Sequence, residues 1–448
     1  MTNAASPEEA PRPPDPTEIL KSRRYLALLV LGAVIGVPVA TVAYFFLEGV
    51  SRVQTEIFSD LPRQLGYHAE PLWWPLPWLV LSGVLVALAI RYLPGTGGHE
   101  PSEGFKSGAP VEPIELFGIV AAAFATLSLG VVLGPEAPLI AIGSGLGVLA
   151  VHLVKRDAPS QATVVIGAAG SFAAIATLLG SPVTGAFLLM EIAGLGGPMM
   201  EVLLIPGLLA AGVGSLIFVG LDNLTGYGTF SLTVANIPHV GSPTGAEFLW
   251  AVAIGLIAAV LATGIFRIAQ MLRPLVERHR LLLTPVVGLT VGGLAIAFAA
   301  GTSHGSSEVL FSGQSALPTL VQQAGSWTVG ALLLLLACKG LAYAISLSSF
   351  RGGPIFPSMF IGAAGGIALS HFSSLPLIAG VAMGVGAMTA GALKLPMTAV
   401  LLPSLLFISD AIVLMPVVIV AVVVSYIVAV RINPTPPDAP TPAAPGHR

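Results

Sequence analysis

The sequence predicts an all-α integral membrane protein, a bundle of two related halves whose broken half-helices meet near the membrane midplane. Composition is the first reason. Of 448 residues, 55% are hydrophobic and only 9% charged, against about 25% charged in a soluble globular domain. The second reason is a series of long apolar blocks joined by short loops, without the ten-residue alternation of a membrane β-barrel. The third is that Gly and Pro interrupt those blocks at matching places in two halves of the chain.

The ends are read first. Residues 1–20 and 432–448 form Pro-rich polar tails, "MTNAASPEEAPRPPDPTE" and "INPTPPDAPTPAAPGHR", with the composition of disordered chain. Residues 21–431 between them read as one membrane domain, and the short second tail leaves no room for a regulatory domain. Lys21, Arg23 and Arg24 precede the first apolar run, which places the N-terminus in the cytoplasm; the membrane expected is the cell (plasma) membrane. That run is long enough to span and follows a polar stretch, so it reads as a span rather than a cleavable signal. Cys338 is the only cysteine, which excludes an intrachain disulfide or a cysteine metal cluster. No metal, cofactor or nucleic-acid partner is expected.

Apolar blocks run over 25–48, 72–93, 113–133, 163–193, 202–220, 246–270, 281–301, 327–350, 355–371, 376–393 and 396–430. Many are broken. The chain carries 52 Gly and 37 Pro, clustered where a helix loses backbone donors and ends. Scattered glycines would only reflect close packing in membranes, but the clusters correspond. "GPEAPLIAIGSGLG" (134–147) falls on "GPIFPSMFIGAAGG" (353–366), matching Gly134 with Gly353, Pro138 with Pro357, Gly143 with Gly362 and Gly147 with Gly366. Further on, Pro182 and Thr184 fall on Pro396 and Thr398. The domain thus divides into related halves, about 21–222 and 223–431. Interrupted segments at corresponding positions point to a binding site at the midplane.

Each Gly-x-x-x-Pro should start a helix, "LIAIGSGLG" in one half and "SMFIGAAGG" in the other, with proline in the first turn. Free N–H groups and the positive dipole end then face what lies before them. Two such ends aimed at one dry spot make an anion site without lysine or arginine. Its moderate affinity suits conduction. Glu136 lies before the first helix start and can set its carboxylate where an anion would sit, blocking the path when ionised and swinging aside when protonated. The plainer alternative is a carboxylate that permanently caps its own helix. An ionisable group at membrane depth favours the gate.

These residues resemble the CLC family of chloride channels and chloride/proton antiporters. "GPEAP" is similar to its G-[KR]-E-G-P motif, "RGGPIFPSMFIGAAGG" to G-G-x-F-x-P-S, and "ACKGLAYAISLSSF" to K-x-x-A-T-x-x-T. "GSPVTGAFLLME" resembles N-A-P-L-A-G-x-x-F-x-x-E, and "GTGGHEPSEG" (95–104) stands where the family has G-S-G-I-P-E. The resemblance covers roughly residues 90 to 410. It implies a CLC-like bundle of two inverted repeats, a homodimer in the lipid bilayer with one pore per subunit, and transport of chloride or a similar anion gated by Glu136.

Departures from the pattern refine those expectations. Pro135 replaces the basic residue before the glutamate, removing its charge and one amide. Pro354 takes another amide and Ile355 replaces Phe. The donors that remain are the N–H groups of Glu136, Ala137, Ile355 and Phe356, set up by the motif residues Gly134, Pro138, Gly352, Gly353 and Pro357. The family's inner-pore serine falls at Gly98, with Thr96, Gly97 and His99 beside it, and its pore tyrosine has no counterpart, Tyr426 coming too early. The antiporters carry a second carboxylate after the glutamate ending "GAFLLME", whereas here Ile192 follows Glu191. That favours a passive channel or weak coupling over strict proton antiport, with Glu191 or Glu201 left as a candidate proton path.

Rival readings are an intramembrane serine hydrolase, suggested by "GSGLG" (143–147), and an inverted-repeat carrier for another small solute. The hydrolase motif needs a strand before its serine, and this one sits in a helical block, so no enzyme is expected. His99 reads as a loop histidine bonding locally or, alternatively, as a pH sensor, His304 as a loop residue, and Met383, Met388 and Met397 as packing fillers.

Overall fold

The computed structural model describes residues 20–68, 70–105, 109–156, 158–194, 198–227, 232–235, 239–372 and 375–432. Apart from Leu20 and Ile432, the two expected tails lie outside that set. Among the described residues there is no strand, only an isolated antiparallel bridge between Gly134 and Gly353.

Helix α1 (Arg23–Thr55) is started by Ser22, whose Oγ accepts the Tyr25 N–H. It runs on through a π turn at Glu56–Asp60 into the short α2 (Leu61–Gln64). Helix α3 (Pro75–Tyr92) has 18 residues, about 27 Å at 1.5 Å each, close to the hydrocarbon thickness of a bilayer. Helix α4 (Leu116–Ser128) has only 13 and stops short, leaving residues 129–135 to carry the chain irregularly inside the protein. Such backbone is tolerated at membrane depth only where protein surrounds it. Leu129, Val131, Val132 and Leu133 are accordingly buried.

From there come α5 (Glu136–Val154), α6 (Ser160–Leu179), α7 (Pro182–Ile192), α8 (Pro198–Thr225), α9 (Gly245–Arg278) and α10 (Arg280–Gly301). Then follow α11 (Ala316–Gln322), α12 (Val329–Ser349), α13 (Ile355–Ser370), α14 (Leu377–Leu393), α15 (Pro396–Leu406) and α16 (Ala411–Ile432). Two of the expected apolar blocks are each two helices. Block 163–193 breaks where Gly180 turns left-handed at φ 63°, Ser181 accepts the Thr184 N–H, and Pro182 opens α7. Block 396–430 breaks at the 3-10 turn Ile408–Asp410. Hydropathy does not register such breaks, because the turn residues are few.

Packing repeats along the chain. Helix α5 lies on α6 and α13 on α14, and glycines set both approaches. A Cβ on Gly143 would run into the Gly170 carbonyl, and one on Gly362 into the Gly384 carbonyl. Gly147 meets Ile166 and Gly366 meets Gly380 in the same fashion. The small-residue contacts let two backbones touch, the usual means of helix association in lipid. The outer faces carry exposed Val30, Val34, Leu81, Leu85, Leu256 and Val260, an apolar exterior suited to acyl chains rather than water.

The two ends of α3 and α10 define two faces. One carries the loop 93–105 and the junction 278–280. The other carries Glu70 and the loop 302–315, where His304 stacks flat on Trp327 at 3.6 Å between ring centres. Lys339 of α12 reaches this second loop and donates to the carbonyls of Glu308, Val309 and Leu310 at 2.9, 3.1 and 2.9 Å. Phe311, left-handed at φ 59°, donates its N–H to the Gly130 carbonyl and ties the loop to the irregular segment.

Two outcomes follow from these contacts. Gly143→Val should open the α5–α6 contact and cost about 1–3 kcal/mol by overpacking, whereas Gly293→Val, with nothing within 4 Å of its Cβ, should leave the melting temperature of the detergent-purified protein unchanged. Burial pushes the Glu70 carboxyl up to about 7 from 4.5, opposed by the Ser306 hydroxyl. An acid whose folded value is raised binds its proton more tightly folded than unfolded, so stability is lost as pH rises through that window. Glu70→Gln should flatten the fall in melting temperature between pH 4.5 and pH 7.

Candidate anion site

The site is made by two backbone turns. Gly134 donates its N–H to the Gly353 carbonyl at 2.7 Å, and Gly353 returns one to Gly134 at 2.5 Å. This exchange brings the first turn of α5 against the first turn of α13. Sequence reasoning started these helices at Leu139 and Ser358; the structure starts them three residues earlier, at Glu136 and Ile355, with Pro135 and Pro354 as N-caps. Pro138 and Pro357 therefore occupy the third helical position. They supply no N–H, so each helix end offers the two amides expected: Glu136 and Ala137 on one side, Ile355 and Phe356 on the other.

Glu136 is consequently the first residue of α5, not a residue ahead of it. Its side chain is fully buried, and Oε1 accepts the Phe356 N–H from the opposite helix at 2.8 Å. Ile355, the first residue of α13, precedes Phe356 in the same turn. Bridging both helix ends goes beyond capping its own. Gly134 and Gly353 give the carboxylate its room, since a Cβ on either would run into it. Gly352 must stay bare too, because its Cβ would press on Leu133 and the Gly134 carbonyl. Glu136 Oε2 has no hydrogen-bond partner, an expensive state for a buried carboxylate oxygen. The carboxylate thus lies where the two positive helix ends converge.

Sequence reasoning missed Tyr343. From α12 its hydroxyl donates to the Pro354 carbonyl at 2.9 Å and lies 3.2 Å from Ser358 Oγ. It sits in the same turn of α13 that holds Glu136. Tyr426, by contrast, is half-buried in α16. The signal for Tyr343 was present only as a tyrosine in "ACKGLAYAISLSSF", and its direction depends on how α12 is rotated.

The loop over Thr96–His99 is strained but ordered by contacts. Gly95, Thr96, Gly97 and Gly98 all take positive φ, at 81°, 47°, 73° and 90°. Gly97 is buried against Ile90, Ala122 and the Arg351 stem. Thr96, Gly98 and His99 line a cavity of about 790 Å³ with Arg280 and Arg351. His99 is exposed at its ring and Nε2 bonds the Gly104 carbonyl at 2.7 Å, the local contact expected of a loop histidine.

Glu191 has a definite task. Its two carboxylate oxygens accept the N–H groups of Met397 and Thr398, both at 2.7 Å, and the Thr398 hydroxyl at 2.6 Å. It caps α15 from the end of α7, a favourable place for a negative charge. Beside it a second cavity, about 650 Å³, is lined by Ser102, Glu103, Glu191, Thr263, Gln270 and Lys394. Ser102 is buried there with an unpartnered Oγ, three residues past the stretch chosen for the inner pore. Glu201 is exposed in the first turn of α8. "GSGLG" lies within α5, where Ser144 Oγ accepts the Val111 N–H at 3.2 Å.

Comparison with known proteins gives the chain's family and fold. Residues 83–430 match the model of the voltage gated chloride channel family. The putative ion-transport protein YfeO of Salmonella schwarzengrund (strain CVM19633) is 32% identical over 367 residues, which cover 80% of this chain and 84% of that protein. Among solved structures, a slow cyanobacterial Cl-/H+ antiporter superposes with a TM-score of 0.73 at 21% identity, covering 91% of this chain and 95% of that one. A CLC-type fluoride/proton antiporter gives 0.65 at 18% identity, covering 90% and 95%. Those two likenesses concern the fold. From the family match and the level of identity to its relatives, the chain belongs to the voltage-gated chloride channel, or CLC, family.

Proposed function

We propose that this chain carries chloride or a similar small anion across the membrane along a path gated by Glu136, passively or with weak coupling to protons. The observation that carries this reading is the Phe356 N–H bonded to the Glu136 carboxylate across the Gly134–Gly353 pair. An anion and this carboxylate want the same four amides, of Glu136, Ala137, Ile355 and Phe356, so each excludes the other. A proton on the carboxylate weakens its hold on the amide and vacates the place. With no full positive charge at those helix ends, binding stays weak enough for release.

We assign Gly134, Pro138, Gly352, Gly353 and Pro357 to shaping this place, and Thr96, Gly97, Gly98 and His99 to the wall of the path on the Glu100 face. The working unit is a homodimer in the plasma membrane with one path per subunit and a cytoplasmic N-terminus. The resemblance to CLC proteins and the basic residues at 21–24 support that assignment.

Ile192 supports weak coupling, because an aliphatic side chain carries no proton where the antiporters have a carboxylate. The second reading is anion/proton antiport by another route. It is favoured by the polar cavity around Ser102, Thr263 and Gln270 beside Glu191. Two superposing structures are also named as proton antiporters.

Liposome flux separates the readings. Glu136→Ala should conduct with less than about a twofold change between pH 4.5 and pH 7.5, since the titrating gate is gone; a pH profile equal to that of the unaltered protein would remove Glu136 as gate. A chloride gradient imposed on liposomes without permeant counter-ions should move few protons. Proton pumping at a fixed ratio, abolished by Glu191→Gln, would establish the antiport reading instead.

A further inference from the structure

A buried arginine stands two residues before the bridge glycine Gly353. Arg351 is 4% exposed, and its backbone N–H bonds Thr126 Oγ1 at 3.4 Å. Its guanidinium turns away from the paired helix ends toward the loop 93–105. There Nη2 donates to Glu100 Oε1 at 3.0 Å, Nε to the Thr96 carbonyl at 3.4 Å and Nη1 to the Phe350 carbonyl at 3.3 Å. Those bonds use three of the five N–H donors of a guanidinium.

Glu100 does not belong to Arg351 alone. Its carboxylate also lies 2.5 Å from Arg273 and 3.4 Å from Arg280. Arg273 holds Glu103 and Glu277 in turn, at 2.6 and 2.7 Å. The partners of Glu100 thus outnumber it, and Arg351 can release the carboxylate without leaving it unpaired. Arg351 and Glu100 both line the cavity of about 790 Å³ together with Thr96 and Gly98. The cavity reaches the face of the bundle where α3 ends and α10 begins. A buried cation beside a cavity and next to the anion turns is poorly explained as a structural brace, since a bare ion pair at low dielectric adds little stability.

We propose that Arg351 is an anion-contacting residue at the mouth of the path on the Glu100 face, with Glu100 as its built-in competitor. An anion arriving through the cavity takes the guanidinium donors that Glu100 now holds, while Glu100 stays on Arg273 and Arg280. The anion then passes Thr96 toward the amides at Ile355 and Phe356. The positive charge absent at Pro135 is thereby supplied from the other side of the bridge. This inference rests on the anion-transport reading above and adds to it a charged recognition step separate from the Glu136 gate.

The test is the chloride-concentration dependence of efflux from liposomes containing the purified full chain. Arg351→Gln should raise the half-saturating concentration at least several-fold, and Glu100→Gln should lower it, because one removes the attraction and the other the competitor. Arg351→Lys, keeping the charge without the fork, should lie between Arg351→Gln and the unaltered protein. A brace alone would make both substitutions act in the same direction, through a loosened 93–105 loop. Shifts in the same direction, or below twofold in Glu100→Gln, overturn the proposal while leaving transport intact. Absence of anion efflux from the unaltered protein would overturn both readings. Should Arg351→Gln fail to fold, Glu100→Gln and Arg351→Lys still decide the matter by their opposite expected shifts.

Discussion

The pair of hydrogen bonds exchanged by Gly134 and Gly353 is the constraint on which the rest of the structure depends. It forces two helices of opposite halves to begin at one point inside an apolar bundle. Amides that would be unsatisfied in lipid are thereby turned on a common spot, where their partial charges add. A carboxylate can be buried there only because those amides meet it. Without them, burial of such a charge costs far more than any packing around it returns. The bare glycines, the short α4 and the irregular segment 129–135 all serve this meeting.

Around it, the bundle is organised to bring backbones close. Gly143 on Gly170 and Gly362 on Gly384 hold α5 and α13 against α6 and α14 with no side chain between. Glu191 adds a polar tie at a different place, fastening the end of α7 to the start of α15. Among the described residues the two halves therefore meet through helix ends at the glycine pair, with the Glu136 carboxylate beside it, and at the Glu191 carboxylate. In each contact a negative group or a carbonyl answers free amides, so the positive ends of helices act as adhesive points in a medium that offers no water.

Much of this was legible in the sequence because it is local. Gly134, Pro138, Gly353 and Pro357 announce broken helices by their own backbone chemistry, and Glu136 is conspicuous as a charge in an apolar run. The two free amides at each helix start followed from counting prolines. What was not legible depends on the rotation of whole helices. Tyr343 and Arg351 look like ordinary members of "ACKGLAYAISLSSFRGG" until α12 and the turn after it are placed. Ser102 was passed over because motif spacing pointed to Gly98. The helix starts were set three residues late because proline was taken to open the first turn, whereas Pro135 and Pro354 precede it and Pro138 and Pro357 sit third. The break at Gly180-Ser181-Pro182 was readable from its glycine and proline, although hydropathy runs on across it.

The doubled bond between the glycines has a mechanical consequence. Separating the two helix ends would break both links at once in a region without solvent to replace them, and would strand four backbone groups. Rotating one carboxylate breaks a single amide contact with Phe356 and leaves the main chain untouched. The inexpensive motion is thus a rotamer change, on a timescale much shorter than that of rocking one half of a bundle against the other. The meeting point is thus a stationary frame around one movable side chain.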